Sequence, residues 1–221
     1  MRFIGDIHGN FLRYSHIIRE CDSSLQLGDF GVGFPYDTDD VHCCNYTEFD
    51  GYTLSFPPKF DLSHKWIRGN HDWPKICKKH DNYLGDYGYL NQPDLFFISG
   101  AYSIDKEYRT IGIDWWPEEE ISVSMLQEMI QLYTKTKPKI VVSHDGPTAF
   151  VKYLFQNHKD LLGAPCISSR TQEALNRCWE IHQPDYWIFA HYHVHMGQII
   201  GKTRFQCVGV MRTFDIKNLT W

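Results

Sequence analysis

Short apolar runs recur along the chain, each followed by polar punctuation: MRFIG ending at Gly5, SLQLG at Gly28, HKWIRG at Gly69, KIVVS at Ser143 and YWIFA at Ala190. Runs this short, rich in Ile, Val, Phe and Trp, predict buried strands. Periodicity alone leaves buried helix segments open, and length decides for strands. Between them lie helical patterns with recognisable ends. Asn10 is placed to cap a helix whose Phe11, Tyr14, Ile17 and Ile18 fall on one face. A second helix is predicted from a Ser124-x-x-Gln127 capping box through Leu126, Met129, Ile130 and Tyr133 to Lys135, Lys137 and Pro138. A third starts at Ser169-x-x-Gln172 and carries Leu175, Cys178 and Trp179. Strand and helix in alternation imply a largely parallel sheet covered on both faces, with sites just beyond the carboxyl ends of its strands. The later runs LFFISGAYSI, YRTIGI and GQIIGKTRFQCVGV alternate more, and the last holds a Gly201-Lys202 hairpin turn. The expected fold is therefore α/β, a two-sheet mixed β-sandwich flanked by helices, over a single domain spanning 1–221. The stretch 31–63 lacks clear periodicity and reads as a long connection with short elements, of a length that is often functional.

Composition narrows the function classes. With 221 residues, 43% of them hydrophobic, the chain can bury a core without disulfides. The seven cysteines are odd in number and never spaced C-x-x-C, which suits a reducing cytoplasm. No signal segment or apolar run of membrane-spanning length is visible, so a cytoplasmic protein without membrane partners is expected. The formal net charge of −5 gives no electrostatic footprint for nucleic acid.

Five blocks capable of binding metal follow the predicted strands: Asp6-x-His8, Gly28-Asp29, Gly69-Asn70-His71-Asp72, Ser143-His144 and His191-x-His193. In this order they resemble the calcineurin-like metallophosphoesterase pattern D-x-H, G-D, G-N-H-[DE], H and G-H-x-H, in the manner of a small bacterial or phage-type member. A lone His or Asp after a strand is more often a satisfied polar group, whereas five blocks in order point to a site. The resemblance implies a metal-dependent phosphoester hydrolase that uses a dinuclear centre and a bridging hydroxide on a phosphomonoester or small phosphodiester. Asp29 would bridge the cations, with Asp6, His8 and His193 completing one site and Asn70, His144 and His191 the other. Such chemistry needs two cations about 3.5–4 Å apart to neutralise phosphoryl oxygens and lower the pKa of a water. Carboxylate, amide and imidazole without thiolate suit two divalent ions, Mn first, with Fe, Ni, Co, Zn or Mg compatible. Residues i and i+2 on an extended segment point the same way, so Asp6 with His8, and His191 with His193, can converge.

By the same resemblance His71 is the general acid, and Asp72 after it is expected to help fix its tautomer. The Gly9-Asn10 step opens the first helix where free N–H groups could hold a phosphate oxygen, making Asn10 a candidate substrate contact. Arg170, Arg177 and Arg212 are further candidates, Arg170 foremost, although surface solvation is the default for each. His195 is expected outside the ligand set, and adjacent Cys43-Cys44 are expected to be small packing residues. Trp115-Trp116-Pro117-Glu118-Glu119 and Ala101-Tyr102-Ser103-Ile104-Asp105 also resemble stretches of small family members. Aromatics closing the core explain the tryptophans better than substrate stacking. The chain lacks the second Asp and the Arg of the protein-phosphatase motif G-D-x-x-D-R-G, which argues against a Ser/Thr protein phosphatase. A metal-dependent nuclease and a non-catalytic metal scaffold are the remaining alternatives. The partner implied is a small phosphorylated substrate, and oligomeric state is not legible.

Overall fold

The structure is a computed structural model that describes residues 1–35, 45–158 and 168–221. The five apolar runs form β1 (Arg2–Ile4), β2 (Ser24–Leu27), β5 (His64–Ile67), β8 (Ile140–Ser143) and β9 (Tyr186–Phe189). The other described strands are β3 (Tyr46–Phe49), β4 (Tyr52–Ser55), β6 (Tyr87–Leu90), β7 (Leu95–Ile98), β10 (Met196–Ile200), β11 (Thr203–Cys207) and β12 (Thr213–Asp215). One sheet runs β12-β1-β2-β5 and a second β10-β11-β9-β8-β7-β6, with β3 and β4 paired as a separate hairpin. In the first sheet β1, β2 and β5 are parallel. In the second, β7, β8, β9 and β11 are parallel, and β6 and β10 add antiparallel edges. This is the mixed two-sheet α/β architecture expected from the sequence.

Side-chain alternation along the strands builds the layers. Phe3, Leu25, Leu27 and Ile67 of the first sheet meet Leu95, Phe97, Ile140, Val142 and Ile188 of the second in one buried cluster between the sheets. The opposite faces turn outward. Ile4 and Trp66 pack with α1 (Phe11–Ile18) and α2 (Pro74–Cys77). Phe96, Ile98, Val141, Trp187 and Phe189 pack with α3 (Val123–Thr136), α4 (Thr148–Asn157) and α5 (Arg170–Ile181). Runs buried on both faces leave no polar stripe, which is why they read as continuous apolar segments.

The caps refine the helix starts. The Asn10 side chain accepts from Arg13 N, and the Ser169 side chain from Gln172 N, as expected. The middle helix starts earlier than the Ser124 box predicts, because Ser122 is the residue whose hydroxyl accepts from Met125 N. The stretch YRTIGI is not a strand. Lys106–Tyr108 form a 3₁₀ turn, Thr110 N donates to Asp114 Oδ1 at 2.6 Å, and Tyr108, Ile111 and Ile113 are exposed. The 31–63 connection contributes the β3–β4 hairpin, and paired backbone hydrogen bonds between Gly33 or Phe34 and Ser55 tie its two ends together.

Candidate metal centre

The carboxyl ends of β1, β2 and β5 in one sheet meet those of β8 and β9 in the other, and all five sequence blocks converge there. One group of ligand atoms, from Asp6, His8, Asp29 and His193, lies within 4.8 Å of one another. A second, from Asp29, His144 and His191, does the same. Asp29 belongs to both. Asn70 joins the second group, its Oδ1 3.1 Å from His144 Nε2, which is itself 3.2 Å from Asp29 Oδ1. In the first group His8 Nε2 is 3.1 Å from His193 Nε2, which lies 3.3 Å from Asp6 Oδ2.

The donors are set by the groups behind them. His144 Nδ1 faces the Leu27 carbonyl at 2.7 Å, which fixes the tautomer and leaves Nε2 for the site. The Asn70 amide nitrogen donates to Ser103 Oγ at 2.9 Å, and Ser103 is held in turn by Glu119, so Asn70 Oδ1 points inward. Only glycine fits between these groups. A Cβ at Gly69 would collide with Asp29 Oδ1 and His144 Nε2, and one at Gly28, whose φ is 98°, would strike the His144 ring.

Charge and solvation fit cations. Asp6 and His144 are fully buried and Asp29 nearly so, whereas His8 and His193 are exposed, giving a deep wall and an open mouth. Asp6 Oδ2 is buried without a hydrogen-bond donor. Burial, reinforced by the Asp29 charge, pushes the Asp6 carboxyl up to about 8. His144 is raised to about 9 because the Asp29 charge overrides the opposing effect of burial. Burial holds the Asp29 carboxyl up, but His144 outweighs it and Asp29 stays well below the usual carboxylate range. Desolvation lowers His8 to about 4 and His191 to about 3 and also depresses His193, so these rings present lone pairs at neutral pH. The protons that Asp6 and His144 retain stand where cations would, and with Asp6 Oδ2 lacking a donor and His8, His191 and His193 neutral, the set fits divalent metal that displaces those protons.

His71 stands apart from both ligand groups among the described residues. Its ring lies edge-on to His8 at 5.4 Å between centroids and stacks near Phe34, and its backbone N–H donates to Asp29 Oδ1 at 2.9 Å. Its expected partnership with Asp72 is a correction. Asp72 is buried and spends both oxygens on backbone: Oδ1 accepts from Gly31 N and Val32 N, Oδ2 from Phe30 N and Gly69 N. Asp72 therefore shapes the two loops that carry Asp29 and Asn70. The side chain actually against the His71 ring is Arg109, whose Nη1 and Nη2 each lie 2.9 Å from a ring nitrogen. Nothing in its sequence surroundings marked it, apart from its place between the two family-like stretches.

The candidate substrate contacts are partly engaged within the protein. Asn10 Oδ1 is taken by the helix cap and the backbone N–H groups of Gly9 and Asn10 donate to Phe30 O and Ile7 O, so a phosphate contact from this step would come from the Asn10 side-chain N–H₂. Arg170, the first residue of α5, donates to the Ile121 and Glu120 carbonyls beside a 3.6 Å ion pair with Glu120. Arg177 pairs with exposed Glu180, and Arg212 and His195 are exposed outside both ligand groups. Trp116 is buried and stacks on Trp73, with centroids 5.7 Å apart, in keeping with a core role. Cys43 and Cys44 lie outside the described residues, as does Cys166.

A family profile described as calcineurin-like phosphoesterase matches residues 2–195. Among solved structures, a predicted phosphoesterase from Streptococcus pneumoniae is 11% identical, with 96% of this chain and 74% of that one covered at a TM-score of 0.33. The phosphopantetheinyl hydrolase of Mycobacterium tuberculosis is 12% identical, with 94% and 89% covered at a TM-score of 0.40. No curated protein sequence matches. No described helix is long and apolar enough to cross a membrane.

Proposed function

The chain belongs to the calcineurin-like phosphoesterase family, metal-dependent hydrolases of phosphoric esters, and from that premise we propose that it works with two divalent cations, Mn by preference, on a small phosphomonoester or phosphodiester. Asp29 would be shared by the two cations. Asp6, His8 and His193 complete one site, and Asn70, His144 and His191 the other. The observation that carries this reading is that Asp29 is common to two separate groups of converging ligand atoms. When bound, the pair would supply charge neutralisation at the phosphoryl oxygens and a water of lowered pKa as nucleophile.

The chain's own side chains then do the positioning. The exposed imidazoles of His8 and His193 form the open lip through which an ester approaches, while buried Asp6, Asp29 and His144 keep bulk water from the far wall. His71, next to that lip and outside both ligand groups, donates a proton to the leaving oxygen. Carboxylate, amide and imidazole donors without thiolate favour Mn over a structural zinc. A reducing compartment agrees with Cys21, Cys77, Cys178 and Cys207, which are free.

The decisive experiment reconstitutes purified protein with Mn, Ni or Mg, against an EDTA control. It assays phosphomonoesters, linear and cyclic diesters and single-stranded DNA, and counts metals by elemental analysis. Two metals per chain, both lost in Asp29→Asn together with turnover, are expected. One metal per chain, or an Asp29→Asn protein that keeps two metals and full activity, would remove the bridge.

A further inference from the structure

The corner around His71 has more hydrogen-bond donors than acceptors. Arg109 follows the 3₁₀ turn at Lys106–Tyr108, and only 13% of its side chain is exposed. Its Nη2 lies 2.7 Å from Asp105 Oδ2, and its Nη1 donates to the Asp114 carbonyl at 3.2 Å. The same two nitrogens each lie 2.9 Å from His71, Nη1 from Nδ1 and Nη2 from Nε2. A guanidinium has donors only, and a neutral imidazole has one acceptor nitrogen. At most one of these approaches is therefore a hydrogen bond, and the other sets N–H against N–H. Asp105 is half-exposed and engages a single guanidinium nitrogen, so it does not remove the surplus. An immobilised guanidinium with unspent donors beside the mouth of a phosphoester site matches an anionic oxygen better than it matches an imidazole.

We propose that Arg109 is the anion anchor of this site: it exchanges His71 for a non-bridging oxygen of the substrate phosphate, and thereby selects monoesters over diesters. The proposal rests on the phosphoester reading given above. A monoester carries three non-bridging oxygens and a diester two. A third partner, beyond two cation sites, finds an oxygen of its own only on the monoester. The exchange also releases the His71 ring, which cannot serve the leaving oxygen while both of its nitrogens face a guanidinium.

The test compares wild type, Arg109→Lys and Arg109→Gln, all loaded with Mn and all checked for an unchanged melting temperature. Calorimetric titration with inorganic phosphate should show binding weakened about 10- to 100-fold in Arg109→Gln, the scale of one charge-assisted hydrogen bond, with partial recovery in Arg109→Lys. With p-nitrophenyl phosphate the loss should fall mainly on KM. With bis(p-nitrophenyl) phosphate kcat/KM should stay within about threefold of wild type, since that diester has no third oxygen to lose. Neither substrate needs leaving-group protonation, which separates Arg109 from the role of His71. Phosphate binding within threefold of wild type in Arg109→Gln, or equal losses on both esters, would overturn the proposal and leave Arg109 a loop-closing residue. If wild type hydrolyses neither ester, it is the phosphoester reading that fails, and the phosphate titration still decides whether Arg109 holds an anion.

Discussion

Four of the residues proposed to hold metal have left-handed backbone: His8 (φ 47°), Asp29 (51°), His191 (66°) and His193 (57°). For residues with a Cβ this region costs on the order of 1–3 kcal/mol each when imposed at a functional site, so the fold carries strain where the donors must turn back on one another. His193 is the cleanest place to see it, because its side chain is 55% exposed and little packing is lost on truncation. His193→Gly and His193→Ala should both lose metal affinity. Without metal, the glycine variant should be the more stable of the two by about 0.5–1 kcal/mol, since glycine adopts this φ freely. Denaturant titration under EDTA checks the order, and an alanine variant as stable as the glycine one would show the backbone to be relaxed. His71 calls for a different measurement. As the general acid, His71→Ala should keep its metals and lose roughly 10²- to 10⁴-fold in rate on an alkyl ester. It should lose far less on a nitrophenyl ester, whose leaving group departs unprotonated. Equal losses, accompanied by lost metal, would make His71 a ligand.

The strand-ending blocks were legible because an apolar run that stops at Asp, Asn or His has to deliver that side chain at a strand's carboxyl edge, and five such edges gather at one place. The elements that brace them were not legible. Asp72 sits beside His71 in the chain, and adjacency suggested a partnership. Only the fold reveals that the loop after β2 curls its Phe30, Gly31 and Val32 N–H groups around that carboxylate. Arg109 was equally silent, because it comes from an irregular segment where periodicity carries no information, and its contact with His71 spans 38 residues. Asn10 was legible as the helix cap, its oxygen accepting from Arg13 N. The role of Asp72 gives a prediction at this scale. Asp72→Ala strands four buried N–H donors across the loops after β2 and β5. At about 1–3 kcal/mol for each donor that finds no water, the variant should lose about 3 kcal/mol or more. Asp72→Asn keeps the shape but turns an N–H₂ toward backbone donors, and should fall between. Chemical denaturation measures both. A loss under about 1 kcal/mol in Asp72→Ala would mean that water replaces the carboxylate and the loops do not depend on it.

Across the whole molecule, the centre joins the two sheets: Asp6, His8, Asp29 and Asn70 come from one, His144, His191 and His193 from the other. A cation held by both should therefore act as a clamp, and its removal leaves Asp6 and Asp29 facing each other in a buried space. The protons that settle in that space without metal set a pH dependence of definite sign. Asp6 is raised to about 8 by burial and the Asp29 charge. His144 is raised to about 9 by Asp29, against the effect of burial. Both groups hold their protons more tightly folded than unfolded. The stabilisation from His144 is complete below its unfolded value, near 6.5, and is lost as pH rises through about 9. The penalty for ionising Asp6 grows from its unfolded value, near 3.9, and is complete above about 8. The two contributions run the same way, so the metal-free protein should lose stability between pH 7 and 9.5. With metal this loss is removed, because cations displace these same protons, and they bind more tightly as pH rises. Melting curves in EDTA and in excess Mn from pH 6 to 9.5 should therefore diverge with rising pH. Calorimetry at pH 7 in buffers of different ionisation enthalpy should record proton release on metal binding. Parallel melting curves with no proton release would mean that the carboxylate pair and His144 do not carry the cations, and that the clamp between the sheets lies in other side chains.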